Sequence, residues 1–107
     1  MNLSIIIPAF NESESLIELH QWISNVIKKM KIVYEIIIID DGSNDDSWSE
    51  IKRITKKDNQ TSAIRFSRNF GKSQALHAGF NLSKGDVIIT LDADLQDSPD
   101  EIPNLYN

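Results

Sequence analysis

The chain has 107 residues, 40% hydrophobic and 25% charged, an ordinary composition for one globular domain or part of one, which excludes a disordered or fibrous chain. It has no cysteine, so disulfides and thiolate metal centres are excluded; the two histidines, His20 and His77, are far apart in sequence, which leaves oxygen as the expected metal ligand. A net charge of -5 speaks against general nucleic-acid binding, no apolar run approaches the roughly 20 residues that cross a bilayer, and no basic segment precedes "LSIII", so the expectation is a soluble, cytoplasmic chain.

Leu3 to Ile7 is apolar apart from Ser4 and is closed by Pro8, and Ile36 to Ile39 is closed by Asp40 and Asp41. Apolar runs without alternation predict strands buried on both faces. Between them Leu16, Leu19, Ile23, Val26, Ile27 and Met30 recur at helical spacing, and Asn11 with Glu14 has the form of a capping box. Trp48, Ile51 and Ile54 then mark a second helix, Ala63 to Phe66 a third strand, Ala75, Leu76, Gly79 and Leu82 a third helix, and Val87 to Leu91 a fourth strand. Alternating strands and helices predict a parallel sheet with right-handed crossovers and helices on both faces. Ser98, Pro99 and Glu101 open one more helix, with Pro103 inside it as a point of bending, and the sequence given stops at Asn107. An unfinished helix after the last strand gives the expectation that residues 1–107 are the first part of a larger domain.

Lys28, Lys29 and Lys31 end the first helix, and Lys52, Arg53, Lys56 and Lys57 lie towards the end of the second, where cations complement the helix dipole and stay solvated. The other polar clusters all follow strands: "PAFNE" (Pro8 to Glu12), "DDGS" (Asp40 to Ser43), "SRNFGK" (Ser67 to Lys72) and "DADLQD" (Asp92 to Asp97). In an open parallel sheet, ligands bind beyond the carboxyl ends of the strands, and a strand order 3-2-1-4 would place these four loops on one rim. An extended backbone after the fourth strand would turn Asp92, Asp94 and Gln96 to one side, where three oxygen ligands suit a hard cation such as Mg²⁺ or Mn²⁺. Taken alone, the same segment equally fits loop aspartates capping the next helix. "DDGS" likewise fits a simple turn, with Ser43 or Asp45 capping the second helix, but it also places two acids where one suffices for a turn. No G-x-G-x-x-G follows the first strand, which disfavours a dinucleotide pyrophosphate on a Gly-rich turn.

With "SIIIPAFNE", "EIIIIDDGSNDDSW", "RFSRNFGKSQALHAGF" and "GDVIITLDADLQDSPDEIP" in this order, nearly the whole chain resembles a family 2 glycosyltransferase of the GT-A fold. It most resembles the branch that moves sugars from nucleotide-sugars to polyprenyl phosphates, which includes dolichol-phosphate mannose synthase and bacterial undecaprenyl-phosphate sugar transferases. The resemblance implies an α/β, Rossmann-like, nucleotide-diphospho-sugar-binding half-domain over residues 1–107. It implies that Pro8, Ala9, Asn11, Glu12 and Ala93 line a UDP- or GDP-sugar pocket, with Asp41 near the base or ribose and Asp40 supporting the loop. It further implies that Asp92, Asp94 and Gln96 hold Mg²⁺ or Mn²⁺ on the donor diphosphate, and that Arg68 and Lys72 are candidates for phosphate contact beside turn-forming Asn69 and Gly71.

The implied activity is inverting sugar transfer to a polyprenyl phosphate at the cytoplasmic face of a membrane, with acceptor-side catalytic residues lying after Asn107. This part alone is then expected to bind donor without turnover and to expose an apolar face prone to self-association. A receiver-like signalling domain needs its acidic pair after the first strand and its phospho-acceptor after the third, which "PAFNE" and "SRNFGK" do not supply. An Asp-x-Asp phosphatase needs that motif after the first strand. A non-catalytic nucleotide-sugar-binding module is the alternative that shares every feature of the sequence.

Overall fold

The isoleucine-rich runs pair side by side. In the computed structural model, which describes residues 1–107, strand β1 (Leu3–Ala9) lies parallel to β2 (Tyr34–Asp40) with Ile5 opposite Ile36 and Ala9 opposite Asp40. Strand β3 (Thr61–Arg65) adds to the far side of β2, and β4 (Val87–Thr90) to the far side of β1, giving one four-stranded parallel sheet in the order β3-β2-β1-β4. The expected order is therefore found.

Because side chains alternate along a strand, the isoleucines divide between two layers. Ile5, Ile7, Ile36 and Ile38 face helices α1 (Ser13–Lys28) and α2 (Ser47–Lys57), packing with Leu16, Leu19, Ile23, Ile27, Ile51 and Ile54. Ile6, Ile37 and Ile39 face the other way, against Ala75 of helix α3 (Lys72–Leu82). Gly79 lets α3 lie close to the sheet, since a Cβ there would stand 2.5 Å from Ile6 Cγ2. The swap of faces follows from right-handed crossovers: β1 to β2 to β3 runs in one direction, and β3 to β4 runs back across the sheet.

Local details depart from expectation where a polar side chain has a stronger use elsewhere. The Asn11–Glu14 capping box does not form: Glu12 is the N-cap of α1 without a side-chain hydrogen bond, and Asn11 has a left-handed φ of 53° and bonds the neighbouring loop instead. Asp46, not Ser43 or Asp45, is the N-cap of α2, although Asp45 Oδ1 accepts from the Ser47 N–H at 2.9 Å. Ser98 does cap the last element, its Oγ accepting from the Asp100 N–H, but that element is a 3₁₀ turn (Pro99–Glu101) leading into a short helix α4 (Ile102–Tyr106). Pro103 falls in the first turn of α4, where its missing N–H costs the helix no hydrogen bond.

At the opposite end of the sheet from the polar loops, His20 Nε2 lies 2.8 Å from Asp58 Oδ2 and 3.0 Å from Thr61 Oγ1, fastening α1 to the α2–β3 turn. Burial works against ionisation of Asp58, but hydrogen bonds from Thr61, Gln60 and His20 outweigh it and hold the carboxyl below its usual range. A carboxyl with a depressed folded pKa contributes stability that is complete above its unfolded pKa and lost as pH falls through the folded one. Asp58→Asn should therefore lower unfolding free energy at pH 7 by about 1.5–3 kcal/mol, the range for hydrogen bonds to a charged group. In urea denaturation the difference should shrink as pH drops below about 4; a difference that does not change with pH would contradict the assignment.

Candidate functional site

The common register brings the loops after all four strands to one rim. The β1–α1 loop is sewn to the β2–α2 loop: the Asn11 N–H donates to Ser43 Oγ at 2.9 Å, Asn11 Oδ1 accepts from the Asn44 N–H at 2.8 Å, and the Glu12 N–H donates to Ser47 Oγ at 2.9 Å. Asp40 is fully buried and its Oδ1 accepts from the Ser43 N–H at 3.0 Å, so it shapes the "DDGS" turn from beneath, while Oδ2 has no protein partner. Gly42 completes that turn at φ 74°, and a Cβ there would collide with the backbone of Arg68 and Asn69. Only glycine suits both the conformation and the contact.

Asp41 has a different task. Its Oδ1 accepts from the Phe70 N–H at 2.8 Å, and its Oδ2 accepts from the Gly71 N–H and from Asn69 Nδ2, both at 3.1 Å. One carboxylate thereby clamps the β3–α3 loop and sets the start of α3, with Gly71 at φ 101° as N-cap and Lys72 as the first helical residue. Lys72 then reaches Asp92, on the far side of the rim, as an ion pair.

The segment after β4 is a turn, not the extended strand continuation expected from the sequence. Leu95 takes a left-handed φ of 65°, the Gln96 N–H folds back onto Asp94 Oδ1 at 3.1 Å, and the Asp92 N–H donates to Asp97 Oδ2 at 3.2 Å. Alternation along an extended backbone therefore does not align Asp92, Asp94 and Gln96. The turn is held to α1 by Ser15 Oγ, which donates to the Ala93 carbonyl, and the 3₁₀ turn beyond it by Trp22 Nε1, which donates to Asp100 Oδ1.

These contacts enclose a cleft of about 340 Å³ lined by Pro8, Ala9, Phe10, Glu12, Asp41, Lys72, Asp92, Ala93 and Asp94. Of the residues singled out in the sequence, Asn11 and Asp40 support this cleft without lining it, and Gln96 is exposed outside it. Arg68 lines an adjoining cleft of about 560 Å³, with its guanidinium 4.4 Å from the centre of the Phe70 ring. Phe10 and Ser15 are the participants that motif reading missed. Phe10 borders both clefts and is 41% exposed, so the one legible signal was an aromatic residue in a strand-end loop.

Negative charge dominates the cleft. The Glu12 carboxyl is pushed up, first by burial and then by the charges of Asp94 and Asp45, against an opposing hydrogen bond from Ser15. The Lys72 ammonium is held charged more firmly than usual, first by its hydrogen bond to Asp92, against some desolvation, and then by the charges of Asp92, Asp97 and Asp94. A cationic side chain drawn among these carboxylates is the structural sign that the cleft suits a cation. No three His, Asp or Glu side chains gather closely enough to hold a metal ion by themselves. Asp92 and Asp94 do fit Mg²⁺ or Mn²⁺ of the kind that takes one or two carboxylates and completes its shell with water and phosphate oxygens.

Residues 4–107 match the family model described as Glycosyl transferase family 2. The chain belongs to this family. Among curated members, an undecaprenyl-phosphate 4-deoxy-4-formamido-L-arabinose transferase from Proteus mirabilis (strain HI4320) is 44% identical over 104 residues, covering 96% of this chain and 32% of that protein. The protein of the same name from Yersinia pestis (strain Pestoides F) is 46% identical over 106 residues, 98% of this chain and 32% of that one. The chain thus spans about a third of the length of the curated relatives it matches.

Two solved structures share the fold. A mannosyltransferase from Pyrobaculum calidifontis in complex with GDP-Man and Mn²⁺ superposes with a TM-score of 0.72 at 20% identity, over 87% of this chain and 27% of that one. Glucosyl-3-phosphoglycerate synthase from Mycobacterium tuberculosis, in complex with Mn²⁺, UDP and phosphoglyceric acid, gives 0.75 at 24% identity, over 95% and 36%. The architecture is the Rossmann-like part of a GT-A glycosyltransferase.

The clamp at the centre of this site is directly testable. In Asp41→Ala the Phe70 and Gly71 amides lose a charged acceptor, so their hydrogen exchange should accelerate at least about tenfold. Exchange in β1 should stay unchanged; unaltered rates at Phe70 and Gly71 would show that Asp41 does not hold the loop.

Proposed function

We propose that this chain is the donor-binding part of an inverting glycosyltransferase that moves a sugar from a UDP- or GDP-sugar to a polyprenyl phosphate. The observation that carries the reading is the meeting of Asp92, Asp94 and Lys72 in one cleft with Pro8, Ala9 and Asp41, beyond the carboxyl ends of all four parallel strands. The family match, the names of the curated relatives and the Mn²⁺ and nucleotide ligands of the structural neighbours support it.

In this reading the Pro8–Phe10 backbone and Glu12 border the nucleoside, and Asp41, whose Oδ1 has a single donor, keeps a lone pair for a ribose hydroxyl or a base N–H. Asp92 and Asp94 would hold the divalent cation; Gln96, the third oxygen ligand implied by the family pattern, lies outside the cleft, so water and phosphate oxygens would complete the shell. Bound there, Mg²⁺ or Mn²⁺ would stabilise the charge that develops on the leaving nucleoside diphosphate. Lys72 adds a second cation on the same side, and Arg68 a third in the adjoining cleft. A phosphate acceptor is already anionic near neutral pH, so single displacement needs no strong base from these residues.

No helix here is long and apolar enough to cross a membrane. A polyprenyl acceptor nevertheless places the whole enzyme at a membrane, in our reading at its cytoplasmic face. The 107 residues bind donor without turnover, because acceptor-side groups belong to the rest of the enzyme. Exposed Phe80, Leu82 and the edge-strand residue Ile88 provide apolar area for self-association of the isolated chain.

Calorimetric titration with UDP and with GDP, each with and without Mn²⁺, tests the reading. One nucleotide should bind in a Mn²⁺-dependent manner, and Asp94→Ala should weaken it by at least about tenfold, as expected when a charged contact is lost. Sedimentation of the same samples should show a concentration-dependent dimer. A folded chain that binds neither nucleotide with Mn²⁺ present would refute the donor-site reading.

A further inference from the structure

Lys72 is in an electrostatically awkward place. It is the first residue of α3, where the helix dipole and the free N–H groups favour an anion and repel an ammonium. It has no acidic residue beside it in the first turn of its own helix. What holds it is the other side of the cleft: Asp92 in direct contact, with the charges of Asp97 and Asp94 adding to the attraction. The pair is not sealed from water, since the side chains of Lys72 and Asp92 are 60% and 36% exposed, so it can be exchanged for other partners.

Asp92 is also one of the two carboxylates that fit a divalent cation. The same oxygens cannot serve an ammonium and a metal ion at once, and an ammonium left beside a bound divalent cation would be repelled by it and by the start of α3. A diphosphate removes the difficulty, because it brings negative charge to the cation and to Lys72 together.

Resting on the donor-site reading above, we propose that Lys72 makes divalent cation and donor diphosphate bind interdependently: its ammonium competes with the cation for Asp92 and moves to the diphosphate when both ligands enter. The Asp41 clamp on Phe70 and Gly71 fixes the start of α3, so the movement is confined to the Lys72 side chain. Lys72 is then a residue that couples two ligands, beyond being a phosphate contact. Coupling of this kind is reciprocal, so the nucleotide should tighten the cation by the same factor as the cation tightens the nucleotide.

Free Mn²⁺ measured by electron paramagnetic resonance gives a readout independent of turnover. The 107-residue chain, Lys72→Met and Lys72→Arg would be titrated with Mn²⁺ alone and again with saturating UDP or GDP, after thermal unfolding has shown that each variant is folded. Without nucleotide, Lys72→Met should bind Mn²⁺ about three- to tenfold more tightly than wild type, the scale of removing one exposed competing charge. With nucleotide the advantage should vanish or reverse, and Lys72→Arg should keep the wild-type pattern. Equal Mn²⁺ affinity of wild type and Lys72→Met without nucleotide, or an equal nucleotide effect in both, would overturn the proposal while leaving a Mn²⁺-dependent donor site intact. Mn²⁺ binding that is insensitive to nucleotide and to Asp94→Ala would overturn the donor-site reading and this proposal with it.

Discussion

Everything at the rim depends on the parallel pairing of β1 with β2. Ile5, Ile6 and Ile7 lie opposite Ile36, Ile37 and Ile38, all almost wholly buried, so a shift by one residue would exchange the two packing faces and break both layers. That register sets Ala9 opposite Asp40, and the Asp41 N–H continues the ladder to the Ala9 carbonyl at 2.8 Å. Two loops of opposite character, one carrying Pro8 to Glu12 and the other Asp40 to Ser43, therefore leave the sheet at one level. Burial of apolar side chains, which has no chemical specificity, thus fixes the position of the groups that have it.

The second stage is polar and local. Asp40 and Asp41 are neighbours in sequence, both at most 3% exposed, yet they act in opposite directions. Asp40 turns down to shape its own loop, whereas Asp41 turns across to hold the next one. Through Asp41 the position of β2 is passed to the start of α3, and through Lys72 to Asp92 after β4. Strands β2 and β4 never touch, since β1 lies between them, and this chain of contacts links their ends above β1. Placing so many hydrogen bonds on a rim creates a cleft whose backbone is set before any ligand enters, which lowers the ordering cost of binding.

The large features were legible in the sequence because they follow from hydrophobic periodicity. Unbroken Ile runs announced doubly buried strands, helical spacing announced α1, and the alternation of the two announced a parallel sheet; the order 3-2-1-4, the condition for one shared rim, is the order the strands adopt. Features decided by competition between hydrogen bonds were not legible. Asn11 has the chemistry of a helix cap, but the loop at Ser43 and Asn44 offers it two bonds and draws it into a left-handed conformation. The segment Asp92 to Gln96 could be read as extended, but Leu95 turns it back, and nothing in the composition of "DADLQD" marks a leucine as the residue with positive φ. The direction in which Asp41 points depends on a loop 28 to 30 residues later, and only the folded chain brings the two together.

On the proposed function, a nucleoside diphosphate and a divalent cation bind together at the rim and at no other polar surface of the chain. The cluster of His20, Asp58 and Thr61 at the other end of the sheet is a built-in control. Paramagnetic broadening of amide signals by Mn²⁺, measured with UDP and with GDP present, tests the claim most directly. Selective loss of signal from Phe10 to Glu12, Asp41 to Ser43 and Asp92 to Asp94, with signals around Asp58 preserved, is the predicted result. Broadening centred on the Asp58 cluster, or spread evenly over the acidic surface, would contradict the account.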